Sequence, residues 1–168
     1  MAYRTLVFNQ NPVAKQGLAT ALMEALRKVH FESLCQQYGL DTGLIEPALY
    51  NLSVEVSLGS TQPLFLLHYQ NKDKPPIIVS EWECTEVCQR QILGDVVPAE
   101  SAKFFKAFMK RVKTIYTVEL ERSQLTNLGL LLAYEVVRWL AAQGTGLVFG
   151  LDRAWYRLNK YHAFILLK

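Results

Sequence analysis

The chain has 168 residues, 51% of them hydrophobic and 20% charged, with a net charge of +3. That composition suits one folded domain with a sizeable core and excludes a disordered chain, which is poorer in apolar residues and richer in charge. The small charge falls short of the clustered basic footprint of a nucleic-acid binder. Three cysteines and no apolar leader after Met1 predict free thiols in a reducing cytoplasm rather than a disulfide framework.

Tyr3 to Phe8 is rich in aromatic and β-branched residues and predicts a strand. Asn11 then offers an N-cap and Pro12 a first helical position, where its missing N–H costs nothing. Leu18, Leu22, Ala25, Leu26 and Val29 recur at helical spacing, and Leu34, Cys35 and Tyr38 extend the stripe to a stop at Gly39. Lys15, Gln16, Glu24, Arg27 and Lys28 fall on the opposite, wet face. Asp41 to Pro47 reads as a linker.

Tyr50 to Leu58 alternates, with Leu52, Val54, Val56 and Leu58 on one side and Asn51, Ser53, Glu55 and Ser57 on the other. A period of two predicts a strand with one buried face. Pro63 to Tyr69 is apolar on both faces, and Ile77 to Trp82 is a third strand. The turns at Gly59 to Gln62 and Asn71 to Pro76 are too short for parallel crossovers, so these three form an antiparallel meander. Glu83 to Ile92 fits a short helix ended by Gly94.

Ser101 to Val112 reads as an amphipathic helix, with Phe104, Phe105, Phe108, Met109 and Val112 on one face and Lys103, Lys106, Lys110 and Lys113 on another. A strand from Thr114 to Leu120, a break at Glu121 to Ser123 and a long helix from about Gln124 to Gln143 follow. Gly144-Thr145-Gly146 ends that helix. Leu147 to Phe149, a turn, a second strand with Arg153, Trp155 and Arg157 on one face and Tyr156 and Leu158 on the other, and Tyr161 to Leu167 close the chain. The expected fold is α+β, a mostly antiparallel sheet packed against two long helices in a single domain 1–168. Both halves run strand, helix, short-turned strands, so a duplicated βαββ unit is one reading of the topology. The apolar run Leu128 to Leu140 is broken by Glu135 and Arg138 and falls short of the roughly 18 residues of a membrane span.

No catalytic constellation stands out. Cys84 and Cys88 would share a helical face, but their spacing is not that of a zinc knuckle, so buried thiols are the simpler reading and no metal or cofactor is assigned. Glu81, Glu83 and Glu86 surround Trp82, and Glu119 and Glu121 share a strand face. Such paired carboxylates do acid–base work where their environments push their pKa values apart, but a solvated sheet face or an ion pair with nearby lysine and arginine is the simpler reading. His30, His68 and His162 are scattered. Gly144, Gly146 and Gly150 follow a helix, whereas phosphate cradles precede one, so a cap and a hairpin turn explain them.

Two surfaces favour contacts. One is the basic face Lys103, Lys106 and Lys110, which is most simply a solvated rim over phenylalanines packed on the sheet, and otherwise suits a partner groove or, third in order, an anionic membrane surface. The other is an exposed Trp155 between Arg153 and Arg157, a composition typical of interface hot spots and equally of a cap on the sheet's edge in which the arginine stems cover the ring. The leading expectation is a non-enzymatic protein-interaction domain with a protein partner or self-association. The alternative is a small-ligand-binding domain or an enzyme of unfamiliar type, with a pocket near Trp82, Glu119, Glu121 and Arg157.

Overall fold

Apolar alternation and unbroken apolar runs become strands, and eight of these lie side by side. The protein is described by a computed structural model over residues 2–57, 63–86 and 98–168. Its strands are β1 (Ala2–Asn9), β2 (Ser53–Val56), β3 (Phe65–His68), β4 (Ile77–Glu83), β5 (Thr114–Glu121), β6 (Gly146–Phe149), β7 (Trp155–Leu158) and β8 (Phe164–Leu166). They form one sheet in the order β2-β3-β4-β5-β1-β6-β7-β8. The ladders β2·β3, β3·β4, β1·β6, β6·β7 and β7·β8 are antiparallel. The helices are α1 (Leu18–Lys28), α2 (Phe31–Tyr38), α3 (Ile45–Tyr50), α4 (Ala102–Met109) and α5 (Asn127–Gly144). The fold is α+β, as expected. No helix of the described residues is long and apolar enough to cross a membrane. The short helix expected between Glu83 and Gly94 lies mostly outside the described residues.

The first predicted helix is corrected in two places. It starts at Leu18, after Gly17 in the left-handed region at φ 69°, and not at Asn11-Pro12. The backbone N–H groups of Gln10 and Asn11 instead donate to Gly144 O, and that of Val13 donates to the Tyr116 hydroxyl at 2.7 Å. Those bonds hold the segment out of a helix. The helix then breaks at Val29 and His30. At 100° per residue an unbroken helix would set Phe31 roughly 180° from the centre of the Leu18–Leu22–Leu26 stripe. The break turns Phe31 inward, where it is 3% exposed. One of the two expected long helices is therefore two shorter ones.

The expected linker at Asp41 to Pro47 is also structured. The Asp41 carboxylate accepts from Gly43 N at 2.9 Å and opens a 3-10 turn over Thr42–Leu44, and α3 follows with Ile45 and Ala48 buried. Pro47 misleads because it lies in the first turn of α3, where no N–H is needed. The duplicated topology does not carry into space. The last strand of the first meander, β4, lies innermost on one side of the β5-β1 pair, and the first strand of the second, β6, lies innermost on the other.

The chain divides into two compact units. The first comprises Met1–Tyr3, Ala14–Ser80 and Val118–Val136. Its core takes Leu18, Leu22 and Leu26 from α1 and Phe65, Leu67, Ile77 and Val79 from the strands. A polar joint sits at Gln124, 2% exposed, which donates to Pro75 O at 2.9 Å and accepts from Glu121 N at 2.8 Å. Thr126 caps α5 by accepting from Gly129 N at 3.1 Å, worth about 1 kcal/mol.

The second unit comprises Arg4–Val13, Glu81–Thr117 and Val137–Lys168. Its core gathers Phe8, Phe105, Phe108, Met109, Val112, Ile115, Leu147 and Trp155. Trp155 is 5% exposed and lies 4.5 Å from the Phe105 ring, edge-on, 5.1 Å from Phe8 and 4.9 Å from Phe149. This corrects the expectation of an exposed tryptophan between arginines. On the short β7, Trp155 faces the core, while Arg153 sits in the preceding turn at φ 63°. The end of β1 clamps the end of α5. The buried Asn9 amide donates to Leu140 O at 2.9 Å, and the Gln10 and Asn11 N–H groups reach Gly144 O at 3.0 and 3.2 Å.

Tyr116 crosses this unit. Its hydroxyl accepts from Val13 N at 2.7 Å and donates to Glu81 Oε2 at 2.8 Å. Burial pushes its pKa well above the ordinary tyrosine value of 10.0, the Val13 N–H opposes that, and the Glu81 carboxylate adds to it. Tyr116→Phe is expected to cost about 1–3 kcal/mol at pH 7, since a buried N–H and a carboxylate oxygen lose their partner. A phenol with a raised folded pKa contributes stability below pH 10 that is lost as pH rises further, because the unfolded chain releases its proton first. Denaturant titrations from pH 7 to 11 should show a shallower alkaline loss in Tyr116→Phe than in the parent; an identical slope would rule out this linkage.

Candidate functional site

A groove of about 420 Å³ opens on the second unit, within the range of small-ligand sites. Two helix ends frame it. The last turn of α4 supplies Ala107 and Phe108, with Arg111 just beyond, and the last turn of α5 supplies Ala141 and Ala142. β6 contributes Leu147 and β7 contributes Arg157 and Leu158. The turn between β7 and β8 adds Asn159 and His162. The floor is apolar: Phe108, Ala141 and Leu147 are buried, and Phe104 stands 48% exposed with its ring 6.0 Å from that of Phe108.

The polar lining is one-sided in character. Arg111 and Arg157 carry positive charge, and among the described residues the lining includes no aspartate or glutamate. Asn159 Oδ1 already accepts from Tyr161 N at 2.8 Å and from Ala163 N at 3.0 Å. Its remaining capacity is therefore the donor Nδ2. Thr145 and His162 line the same groove and both hold positive φ, 53° and 59°. Non-glycine residues in that region carry a local cost that concentrates at functional sites. Donors over an apolar floor suit a ligand with a negatively charged, acceptor-rich head and a hydrocarbon body.

Of the residues expected around a pocket, Arg157 alone lines this groove. Trp82, 49% exposed, donates from its indole to Thr117 Oγ1 at 3.3 Å. Glu119 is half-buried and Glu121 exposed on β5, and neither lines the groove. Lys103, Lys106 and Lys110 are exposed, as the amphipathic pattern of α4 predicts. Phe104, expected in the core, is instead at the groove's rim. His30 is exposed at the start of α2, and His68 Nε2 lies 3.2 Å from the Glu55 carboxylate across the β2·β3 ladder.

The thiols show no site. Cys35 is fully buried, and burial, with a contribution from Asp41, raises its pKa, so its thiolate is disfavoured. Cys84 is half-buried against the second unit's core, and Cys88 lies outside the described residues. No group of three histidine, cysteine or acidic side chains suited to a metal occurs among the described residues. The glycines at the end of α5 serve space rather than dihedral freedom: the left-handed residue there is Thr145, and an added Cβ at Gly144 or Gly146 would collide with Asn9.

Neither Arg111, one more cation after the lysines of a basic helix, nor Asn159, in the polar stretch before the last strand, stands out in the sequence. The faint local signal was Arg111 itself, which at about 100° per residue falls beside Phe104 and not on the lysine face. No protein-family model, curated protein or solved structure matches the chain.

Proposed function

We propose that this protein is a binding protein for a small anionic ligand, held in the groove of the second unit. The observation that carries the reading is the pair Arg111 and Arg157. They come from separate elements, line one apolar groove and have no ion pair among the described residues. A lone surface arginine is ordinary; two at one concavity without an acid are a charge-matched receptacle for an anion. A cytoplasmic setting belongs to the same reading, supported by the free thiols of Cys35 and Cys84.

The reading that led from sequence, a protein partner or self-association, now rests on the exposed lysines of α4 and the exposed Arg153, because Trp155 belongs to the core. The groove supports the alternative more directly. Calorimetric titration with inorganic phosphate, sulfate and short aliphatic carboxylates tests it. At least one should bind the parent chain and weaken about tenfold or more in Arg157→Gln and in Arg111→Gln, as loss of a hydrogen bond to a charged group implies. Equal binding by parent and both variants would defeat the assignment.

A further inference from the structure

We infer that the groove's ligand is a hydrocarbon-tailed monocarboxylate, its carboxylate on Arg111 and Arg157 and its tail along Phe104, Phe108 and Leu158. This rests on the anion-binding reading above and adds the ligand's charge and shape.

Charge comes first. Both helices bring their C-terminal turns to the groove, α4 at Ala107 and Phe108 and α5 at Ala141 and Ala142, and α4 also lines it with Phe104 of its first turn. Each such end carries a partial negative charge of up to about half a unit. Set against two arginines, these leave a local excess of about one positive charge, which one carboxylate balances and a dianion exceeds. Phosphate sites are commonly built the other way round, with helix N-termini or runs of backbone N–H groups aimed at the anion. Of the two N-terminal turns, only that of α4 reaches the groove among the described residues, and it does so through Phe104, an apolar residue. Guanidinium groups, by contrast, match the planar acceptor edge of a carboxylate.

Shape follows from the lining. Beyond the arginines it is mostly carbon, from Phe104 and Ala107 on one side to Leu147 and Leu158 on the other. Phe104 gives about half of its surface to solvent at the rim, where a tail would cover it. A head group alone would leave this apolar wall unused, whereas each buried methylene strengthens binding by up to about fourfold.

The test is calorimetry on the full chain at pH 8, above the ordinary imidazole range. The probes are hexanoate, octanoate and decanoate, with octyl phosphate and inorganic phosphate as comparisons. Lys74→Gln, an exposed charge that does not line the groove, controls for overall charge. Octanoate should bind more tightly than octyl phosphate, and affinity should rise about threefold per methylene from hexanoate to decanoate. Arg157→Gln should weaken octanoate about tenfold while Lys74→Gln leaves it unchanged. Phe104→Ser, at a half-exposed site that does not hold the core, should flatten the chain-length dependence. Tighter, Arg157-dependent binding of octyl phosphate or inorganic phosphate overturns the monocarboxylate inference and leaves the anion reading standing. Silence from every probe overturns both. Octanoate binding that neither Arg157→Gln nor Phe104→Ser alters overturns the site.

Discussion

Trp155→Ala is expected to lower the free energy of unfolding by about 3–5 kcal/mol, the cost typical of removing a large buried aromatic side chain. The indole is 5% exposed and touches three other rings, so little of the resulting cavity can be filled by collapse. Aromatic pairs of this geometry add about 0.5–1.5 kcal/mol each beyond their burial. Trp155→Phe should cost less, because a ring remains against Phe105. Urea titration checks this, and Trp82→Ala supplies the contrast: Trp82 is half exposed, so its loss should stay within about 1 kcal/mol. If Trp155→Ala left stability unchanged and instead broke an oligomer, Trp155 would be the interface residue its arginine neighbours suggest.

That residue also shows where reading the chain succeeds and where it stops. The alternation Ser53-Val54-Glu55-Val56 marks β2 because period two is a local property, although the strand is shorter than the expected Tyr50 to Leu58, since Tyr50 closes α3 and β2 spans Ser53–Val56. The stripe Leu18–Leu22–Leu26 marks α1 for the same reason. The break before Phe31 follows from what Phe31 must bury against, which no local pattern states. Arg153-Ala154-Trp155-Tyr156-Arg157 has an interface's composition, yet alternation alone does not say which side of a strand faces a core.

The groove was the least legible feature. Its residues come from Gln10, from the Phe104 to Arg111 region, from the end of α5 and from the last hairpin. They meet only because β1 runs beside β6 and its end is bonded to Gly144. Arg157 was legible as a charged residue on a strand facing solvent. That it shares a concavity with Arg111 depends on contacts across more than forty positions of the chain, and composition carries no trace of those.

The junction that brings these segments together yields the second large expected effect. Gly146→Ala is expected to destabilise the protein by about 3 kcal/mol, at the upper end of overpacking costs. A Cβ at Gly146 would overlap Asn9 Oδ1 and lie 3.1 Å from Ala141 Cα and 3.2 Å from Val7 Cγ1. Backbone on one side and a fully buried amide on the other leave no flexible neighbour to yield. Asn9 cannot simply rotate away, because its Nδ2 holds Leu140 O at 2.9 Å at the end of α5. Asn9 Oδ1 has no hydrogen-bond partner among the described residues, so truncating this side chain sacrifices only the Nδ2 bond. Asn9→Ala alone should therefore cost about 1–3 kcal/mol through the orphaned carbonyl. In the double variant the oxygen that blocks the new methyl is gone, so the two costs should fall short of their sum by 1 kcal/mol or more. Denaturation of the four proteins in that cycle reads the coupling directly. Strict additivity would show that Gly146 is required for something other than its contact with Asn9, and the account of how β1 locks the end of α5 beside the groove would have to be given up.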